Sequence, residues 1–347
     1  MGRVVILGVF VADTAYRADR QPKMGETILG RTFVLGPGGK GSNQSVAAAM
    51  AQRGTGGLTH FITRLGRDDF AQIARSTWAA AGVQPEVTED LDSYTGAAFI
   101  FLEEATGNNA IIVAPGAAGR VSVEDVEAKR GLIEGAAVFV TQLEQPIPAA
   151  LRGLEIARAA GVVTILNPAP AAPLDDAMLA LCDFVTPNES EAEALTGLPV
   201  TSVAEAERAA DALLAKGVGA CVITLGGNGA LYRDRTRSVH VPVISAGPVV
   251  ETTGAGDAFN GGFAVALSEG RDVVDAVRFG CATAGISVTR PGTAPAMPDR
   301  AEIEALLARD LAAADVFLAL DAGLRQDQRL RHAGLLGRLT RRDLGLL

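Results

Sequence analysis

Short apolar runs alternate with longer segments of helical period along most of the chain. Six runs are nearly continuous in apolar residues and predict strands. They cover residues 4–8, 60–65, 138–142, 162–166, 184–186 and 221–225. Strands of this kind are typical of a parallel sheet that is buried on both faces.

Eight segments between these strands repeat their apolar positions with a helical period and predict helices. They cover residues 44–53, 69–81, 123–134, 147–160, 189–195, 204–216, 256–268 and 273–288. Alternating strands and helices predict an α/β fold with a mostly parallel central sheet and helices on both faces. A ligand site is then expected at the carboxyl ends of the strands.

Two stretches break this rhythm. Residues 94–102 and 108–114 flank a polar turn at 103–107 and predict a β-hairpin. The segment 12–35 lacks a helical period and carries strand-like pieces. These pieces either form a small separate sheet, as a lid would, or an edge hairpin of the main sheet.

The C-terminal residues depart from the α/β pattern as well. After Leu307 the chain is rich in Leu and Arg and continues to Leu347. We expect one large domain over residues 1–310 and an extension over 311–347. The extension is either a docking or oligomerisation segment, or a solvated appendage.

Bulk composition narrows the class of protein. The 347 residues are 48% hydrophobic, which is enough for a large core, and carry a net charge of −9 with a pI near 5.0. An acidic surface argues against general binding to nucleic acid or anionic membranes. Cys182, Cys221 and Cys281 lack paired spacing and indicate reduced thiols. The N-terminal apolar run is too short for a secretion signal, so we expect a cytoplasmic protein.

The run from Thr252 to Gly262 carries the strongest chemical signal. Gly254, Ala255 and Gly256 stand where a helix begins, and the free N–H groups of a helix N-terminus attract anions. Asp257 follows directly, although a carboxylate repels what such a cradle attracts. The pairing is consistent with a base that takes a proton from a hydroxyl attacking a phosphate.

A second glycine-rich run extends from Gly36 to Gln44 and opens the helix after it. It is not a P-loop, because Val34 and Gly41 occupy positions where that motif needs Gly and Ser or Thr. Its glycines allow positive φ angles and a close approach of a ligand to the backbone. Asn43 at the helix start either caps the helix or faces the ligand.

These two runs resemble the two signatures of the ribokinase family, the phosphofructokinase-B superfamily of carbohydrate kinases. Other stretches match the family in order over about residues 3–308. They are Gly25-Glu26-Thr27, Gln142-Leu143-Glu144, Asn167-Pro168-Ala169-Pro170, and the stretches 186–193, 222–227 and 288–292. The resemblance implies a ribokinase-like three-layer fold with a β-sheet lid made from residues 12–36 and 92–115.

The resemblance also implies roles for single residues. Asp257 would be the catalytic base, and Gly254, Ala255 and Gly256 the anion hole for the transferring phosphate. The sugar would be held by Asp13, Gly39, Lys40, Asn43, Glu144 and Asp257. Nucleotide and Mg²⁺ handling would involve Asn188, Glu191, Thr224, Gly226, Gly229 and Cys281. A K⁺ site would involve Glu251 and the carbonyl groups of Thr253, Ser287, Arg290 and Gly292.

The activity implied is ATP- and Mg²⁺-dependent transfer of the γ-phosphate to a primary sugar hydroxyl, first of all ribose to ribose 5-phosphate. Val11 stands where the family usually has Asn, so another pentose or a hexose such as fructose is an alternative acceptor. A nucleoside kinase is a further alternative, although three Tyr and one Trp offer little for a base-binding slot. A sensor without catalysis is the non-enzymatic alternative.

Two departures bear on K⁺ activation. Glu251 stands in place of the family's Asp, and Ala296 in place of a Ser ligand. The resemblance further implies a homodimer that pairs through the lid.

Overall fold

The computed structural model describes residues 2–312. Thirteen strands form two sheets within them. The strands are β1 Arg3–Leu7, β2 Val11–Ala18, β3 Thr32–Gly38, β4 Leu58–Leu65, β5 Gln84–Glu89, β6 Thr95–Glu103, β7 Asn109–Gly116, β8 Val138–Thr141, β9 Val163–Leu166, β10 Phe184–Val185, β11 Ala220–Thr224, β12 Ala230–Arg233 and β13 Ser238–Val241.

The main sheet has nine strands in the order β13-β12-β11-β10-β9-β8-β1-β4-β5. Its seven strands from β11 to β5 are parallel, and β12 and β13 add an antiparallel edge. This arrangement confirms the predicted, mostly parallel sheet. All six predicted strands belong to it.

Helices cover both faces of this sheet. They are α1 Lys40–Ala51, α2 Asp69–Ala81, α3 Val123–Glu127, α4 Arg130–Glu134, α5 Ile147–Ala159, α6 Asp176–Leu179, α7 Glu189–Thr196, α8 Val203–Ala215, α9 Ala255–Ser268 and α10 Val273–Ser287. Three short 3₁₀ helices lie at Ala117–Arg120, Gly226–Asn228 and Ala294–Ala296. One face packs Val5, Leu7 and Phe139 in a core with α3 to α8. The alternate strand residues face α1, α9 and α10.

The second sheet is separate from the first, so the small-sheet prediction is confirmed and the edge hairpin is excluded. Its strand order is β3-β2-β6-β7, with β2 and β6 parallel and both outer pairs antiparallel. It is built from the two segments that broke the helical rhythm of the sequence.

Three features differ from the sequence-based prediction. The helix expected over 123–134 is two helices, because the backbone leaves helical geometry at Lys129, whose ammonium group bonds Glu86 of β5 at 2.6 Å. Helix α1 begins at Lys40, four residues before the predicted start. Strands β5 and β13 are the two edges of the main sheet and lack the continuous apolar runs of buried strands, and β12, between β11 and β13, is only four residues long.

Residues up to Ile303 form one compact unit, and a second unit begins at Glu304. The structure describes residues 304–312 of the second unit, and they are helical. The predicted extension lies outside the described residues from position 313 onwards. Within residues 2–312, none of the helices has both the length and the apolar character that crossing a bilayer requires.

Candidate active site

A cavity lies at the carboxyl ends of the parallel strands, where the α/β pattern predicted a ligand site. Of the candidate residues, it is lined by Lys40, Asn188, Glu191, Thr224, Gly254, Gly256 and Asp257. Asn167, Ala169, Thr186 and Asn260 complete the lining. The two signature runs, more than 200 residues apart in sequence, therefore meet in one cavity.

Asp257 is the third residue of α9, and its side chain is buried with 6% of its surface exposed. The carboxylate accepts one amide hydrogen bond on each oxygen. Asn43 Nδ2 donates to Oδ2 at 3.0 Å, and Gln44 Nε2 donates to Oδ1 at 3.0 Å. Burial raises the pKa of Asp257, while Lys40 and the two amides act in the opposite direction. The carboxylate is therefore held in a fixed orientation in a poorly solvated place.

The start of α1 requires a glycine. Gly39 caps the helix with φ near +88°, and a Cβ there would lie 2.6 Å from the Val9 carbonyl oxygen. Because Gly39 is the cap, Asn43 is not: its backbone N–H bonds the Gly39 carbonyl at 2.9 Å and its side chain faces Asp257. Oδ1 of Asn43 is buried and has no hydrogen-bond partner among residues 2–312. This oxygen is therefore a buried acceptor whose hydrogen-bonding capacity is not used by the described residues.

Helices α1 and α9 approach each other closely, and this contact brings the two runs together. A Cβ at Gly261 would lie 2.5 Å from Cβ of Ala47, so only glycine allows this spacing. Gly261 lies one turn after Asp257, and Ala47 lies one turn after Asn43. The close contact therefore sets the Asn43–Asp257 hydrogen bond one turn away.

The N-terminus of α9 offers fewer free backbone N–H groups to an anion than its sequence suggests. Gly254 caps the helix with φ near +78°, and a Cβ on Gly256 would meet no atom within 4 Å. Ala255 differs from the expectation, because its N–H already donates to the Thr252 carbonyl at 3.1 Å. The backbone N–H groups of Gly256 and Asp257 are the ones left to receive an anion.

Two further acids lie close to Asp257. Glu144 Oε2 accepts the Lys40 backbone N–H at 2.7 Å, and the carboxyl group of Asp13 lies against Gly38. Burial raises the pKa of Asp13 to about 6, and the charge of Asp257 adds to this effect. Burial also raises the pKa of Glu144 to about 7, against the opposing influence of Lys40. Carboxylates in such a place are strong acceptors for sugar hydroxyl groups.

Asn188 and Glu191 form a reciprocal capping box at the start of α7. Asn188 Oδ1 accepts the Glu191 N–H at 2.8 Å, and Glu191 Oε2 accepts the Asn188 N–H at 2.9 Å. The pair is therefore a helix cap, but Glu191 is buried at the cavity wall and not exposed. Burial raises the pKa of Glu191, and its Oε1 remains outside the capping box.

The remaining nucleotide-side candidates separate into two groups. Thr224 lines the cavity, and a Cβ on Gly226 would have only Glu189 Oε1 nearby, at 3.6 Å. Gly229 is required by its turn, since its φ is near +88° and a Cβ would lie 2.1 Å from the Val241 carbonyl oxygen. Cys281 is buried in α10 outside the residues that line the cavity, and burial raises the pKa of its thiol to about 12.

The candidate cation residues lie in two loops joined by hydrogen bonds. Glu251 Oε2 accepts the Gly292 N–H at 2.8 Å, and the Val288 carbonyl accepts the Val250 N–H at 2.8 Å. The carbonyl of Ser287 already accepts the Arg290 N–H at 3.2 Å. The loops therefore bring Glu251 and Gly292 together, while Ser287 has a backbone partner of its own.

Several buried polar residues around the cavity have no role that was predicted from the sequence. They are Gln44, Gln142, Asn167, Thr186 and Asn260. Three of them could have been found from the sequence, because Gln142, Asn167 and Thr186 each directly follow the last residue of a parallel strand. Polar residues at that edge of a sheet are typical of a binding site.

A buried carboxylate beside free amides at a helix N-terminus, with further acids for hydroxyl groups, defines the site of a phosphotransferase with an alcohol acceptor. The model of the pfkB family of carbohydrate kinases matches residues 1–300. The chain belongs to this family and is a phosphotransferase that acts on a sugar hydroxyl.

Individual relatives agree with this assignment. A ribokinase of Haemophilus influenzae is 36% identical over 300 residues, which cover 86% of this chain and 96% of the relative. A deoxyribokinase of Salmonella typhi is 34% identical over 297 residues, covering 85% of this chain and 95% of the relative. The structure of Arabidopsis thaliana ribokinase complexed with ribose and ATP matches with a TM-score of 0.82 at 31% identity, covering 88% and 98% of the two chains.

Proposed function

We propose that this protein phosphorylates the primary hydroxyl of ribose with ATP and forms ribose 5-phosphate. The observation that carries the proposal is the buried Asp257 carboxylate, held by Asn43 and Gln44 directly beside the free amides of α9. The likeness to a ribokinase complexed with ribose and ATP supports the acceptor and the donor.

On the sugar side, Asp13 and Glu144 accept hydroxyl hydrogen bonds and Asn43 Oδ1 adds a neutral acceptor. Gly39 and Lys40 bring the backbone close to the sugar at the start of α1. Asp257 orients the attacking hydroxyl and takes its proton as the bond to phosphorus forms. The positions of the acceptors hold the hydroxyl in line with the phosphate, which is the main demand of phosphoryl transfer.

On the phosphate side, Gly254 allows the positive φ of the helix cap, Gly256 leaves space for the terminal phosphate, and the N–H groups of Gly256 and Asp257 receive its negative charge. Thr224 and Gly226 line the path of the nucleotide, Gly229 shapes the turn that carries Gly226, and Cys281 contributes from α10 on the adenine side. When bound, Mg²⁺ neutralises phosphate oxygens. Asn188 and Glu191 suit that ion through water, because Mg²⁺ keeps much of its hydration shell and Glu191 Oε1 is outside the capping box.

K⁺ activation rests on the two loops around Glu251. The carbonyl groups of Thr253, Arg290 and Gly292 offer hard oxygen ligands of the type that K⁺ needs. Glu251 already holds Gly292 by a hydrogen bond, which joins the same two loops without an ion. We therefore propose K⁺ as an activator that adds to this link and not as an absolute requirement.

Deoxyribose is a second candidate acceptor, favoured by Val11. Val11 is buried two residues before Asp13 on β2, so both side chains face the same side of the strand. An apolar side chain gives no hydrogen bond to a hydroxyl, so a sugar that lacks one hydroxyl loses nothing at this position. The deoxyribokinase relative is consistent with this alternative.

An ADP-release assay over ribose, 2-deoxyribose, fructose and nucleosides tests the function. We expect ribose to give the highest kcat/KM, with Mg²⁺ required and K⁺ increasing the rate over Na⁺. A higher kcat/KM for 2-deoxyribose would assign the second function. ADP release with nucleosides or fructose alone would contradict both, and sugar binding without ADP release would identify a sensor.

The lid supports a homodimer. Tyr16, Phe33 and Phe99 form an exposed aromatic cluster. The ring centroid of Tyr16 lies 5.0 Å from that of Phe33 and 5.4 Å from that of Phe99. Tyr16 lies three residues after Asp13 on β2, so this cluster is on the face opposite the sugar side. An exposed apolar patch of this kind is typical of an interaction surface, and we propose a second copy of the chain as its partner.

We expect Phe33→Lys to convert a dimer into a monomer, because it places a charge in the centre of an apolar interface. Light scattering after gel filtration measures the mass. Leu58→Lys, at the exposed start of β4 in the main sheet, is the matched control and should stay dimeric. A monomeric wild type would refute the proposal.

A further inference from the structure

Gln44 is completely buried on α1 and contacts Asp257 at Oδ1, the carboxylate oxygen that Asn43 does not bond. Its amide nitrogen uses both hydrogens: Nε2 donates to Asp257 Oδ1 at 3.0 Å and to Asn167 Oδ1 at 3.1 Å. The neighbouring Asn43 differs, because its Oδ1 has no hydrogen-bond partner among residues 2–312. Gln44 therefore acts on Asp257 without an atom left for the sugar or the nucleotide.

The orientation of this amide is fixed by two others. Gln142 Nε2, just after β8, donates to Gln44 Oε1 at 2.6 Å. Asn167 Nδ2 donates to the Thr186 carbonyl at 2.9 Å, which leaves Asn167 Oδ1 as the acceptor for Gln44. A flipped Gln44 would put its oxygen against two acceptors and its NH₂ group against a donor. The arrangement is costly to reverse, because each group is buried away from water.

We propose that Gln44, oriented by Gln142, is a positioning residue that keeps the Asp257 carboxylate ionised and aimed at the acceptor hydroxyl. This inference rests on the proposed role of Asp257 as the base. The physical reason is that a buried carboxylate is stable only with donors on its oxygens, and Gln44 supplies the one on Oδ1. Without it, the neutral acid is favoured, and a neutral acid cannot accept a proton.

Other charged groups also affect the pKa of Asp257, so the experiment has to separate their effects from the effect of Gln44. Lys40 favours the carboxylate, while Asp13, Glu144 and Glu191 interact with Asp257 as like charges and disfavour it. These groups stay in place when Gln44 is replaced by Leu. The change in the pKa of Asp257 then reports the lost donor.

The experiment compares wild type with Gln44→Leu and Gln142→Leu in kcat, in both KM values and in the pH profile of kcat. We expect Gln44→Leu to lower kcat about tenfold at neutral pH and to move the acidic limb up by about one pH unit. Gln142→Leu should change kcat and the acidic limb in the same direction but less, because it frees the Gln44 amide to turn without removing it. Both KM values should stay within about twofold, since neither residue contacts substrate.

Gln52→Leu is the matched control for loss of a buried amide. Gln52 lies just past the end of α1 and bonds Gly2 and Thr59, neither of which lines the cavity. It should leave the pH profile unchanged, even if it lowers the melting temperature. An unshifted limb in Gln44→Leu, or equal losses in kcat and KM for all three variants, would overturn the inference.

A measurement without turnover separates this inference from the proposed function. The ¹³C carboxyl resonance of Asp257, assigned by its absence in Asp257→Asn, is titrated in the substrate-free protein. A higher pKa in Gln44→Leu than in wild type supports the inference even if the wild type phosphorylates no sugar, an outcome that would defeat only the proposed function. An identical titration in the two proteins contradicts the inference.

Discussion

Asp257→Asn is expected to reduce kcat by about 10²–10⁴, the range that a positioned general base contributes. The amide cannot accept the proton of the sugar hydroxyl, and its NH₂ group would face one of the donors on Asn43 and Gln44. Nucleotide affinity should persist, because the backbone amides of α9 remain. The measurements are kcat from ADP release and the affinity for ADP from calorimetry.

The control for this substitution is Asp272→Asn, a change of the same type at the exposed N-terminus of α10. Asn is an equally good helix cap, so both turnover and stability should resemble wild type. Turnover near the wild-type value in Asp257→Asn would refute the assignment of the base. Loss of ADP binding together with turnover would indicate a damaged site instead.

Glu144→Gln is expected to lower kcat/KM for the sugar about 10- to 100-fold and at the same time to stabilise the protein at alkaline pH. The carboxylate of Glu144 accepts the Lys40 N–H and is available to a sugar hydroxyl. A hydrogen bond to a charged group contributes about 1.5–3 kcal/mol, which is the basis of the kinetic estimate. Gln retains the acceptor for Lys40 and removes the charge.

The sign of the stability effect follows from the direction of the pKa shift. Burial raises the pKa of Glu144 from 4.5 to about 7, so the native state binds a proton that the unfolded state releases. The free energy of unfolding therefore falls as pH rises from about 4.5 to about 7. At pH above about 7 the ionised Glu144 is fully destabilising, and below about 4.5 the effect is absent.

The difference between Glu144→Gln and wild type should reach about 1–3 kcal/mol near pH 8 and shrink as the pH falls to about 5. Denaturant unfolding at both pH values measures it. Glu104→Gln, in the exposed turn between β6 and β7, serves as the control and should show no pH-dependent gain. A variant that is less stable than wild type at both pH values would contradict the burial of an ionisable Glu144.

Much of the fold was readable from local patterns. Parallel strands buried on both faces need continuous apolar runs, and each of these runs became a strand of the main sheet. The edge strands β5 and β13 are partly exposed and lack this signal, so they were missed. The split between α3 and α4 at Lys129 was also missed, because the apolar positions keep a helical period across it.

The features of the site also divide into those that the sequence determined and those that it left open. The sequence alone determined that a glycine-rich helix start and a carboxylate stand together at Gly254–Asp257, because a helix start and the residues within one turn of it are encoded by their neighbours. It left open whether Asn43 caps a helix, and it gave Gln44 and Gln142 no role.

Only the tertiary structure decided those points. The bonds of Gln44 to Asp257 and Gln142 join residues 213 and 98 positions apart. They depend on the approach of α1 to α9 at Ala47 and Gly261, and on the end of β8, which Gln142 directly follows. Periodicity and capping preferences report the conformation of a segment, but helix packing determines which buried donor meets which acceptor.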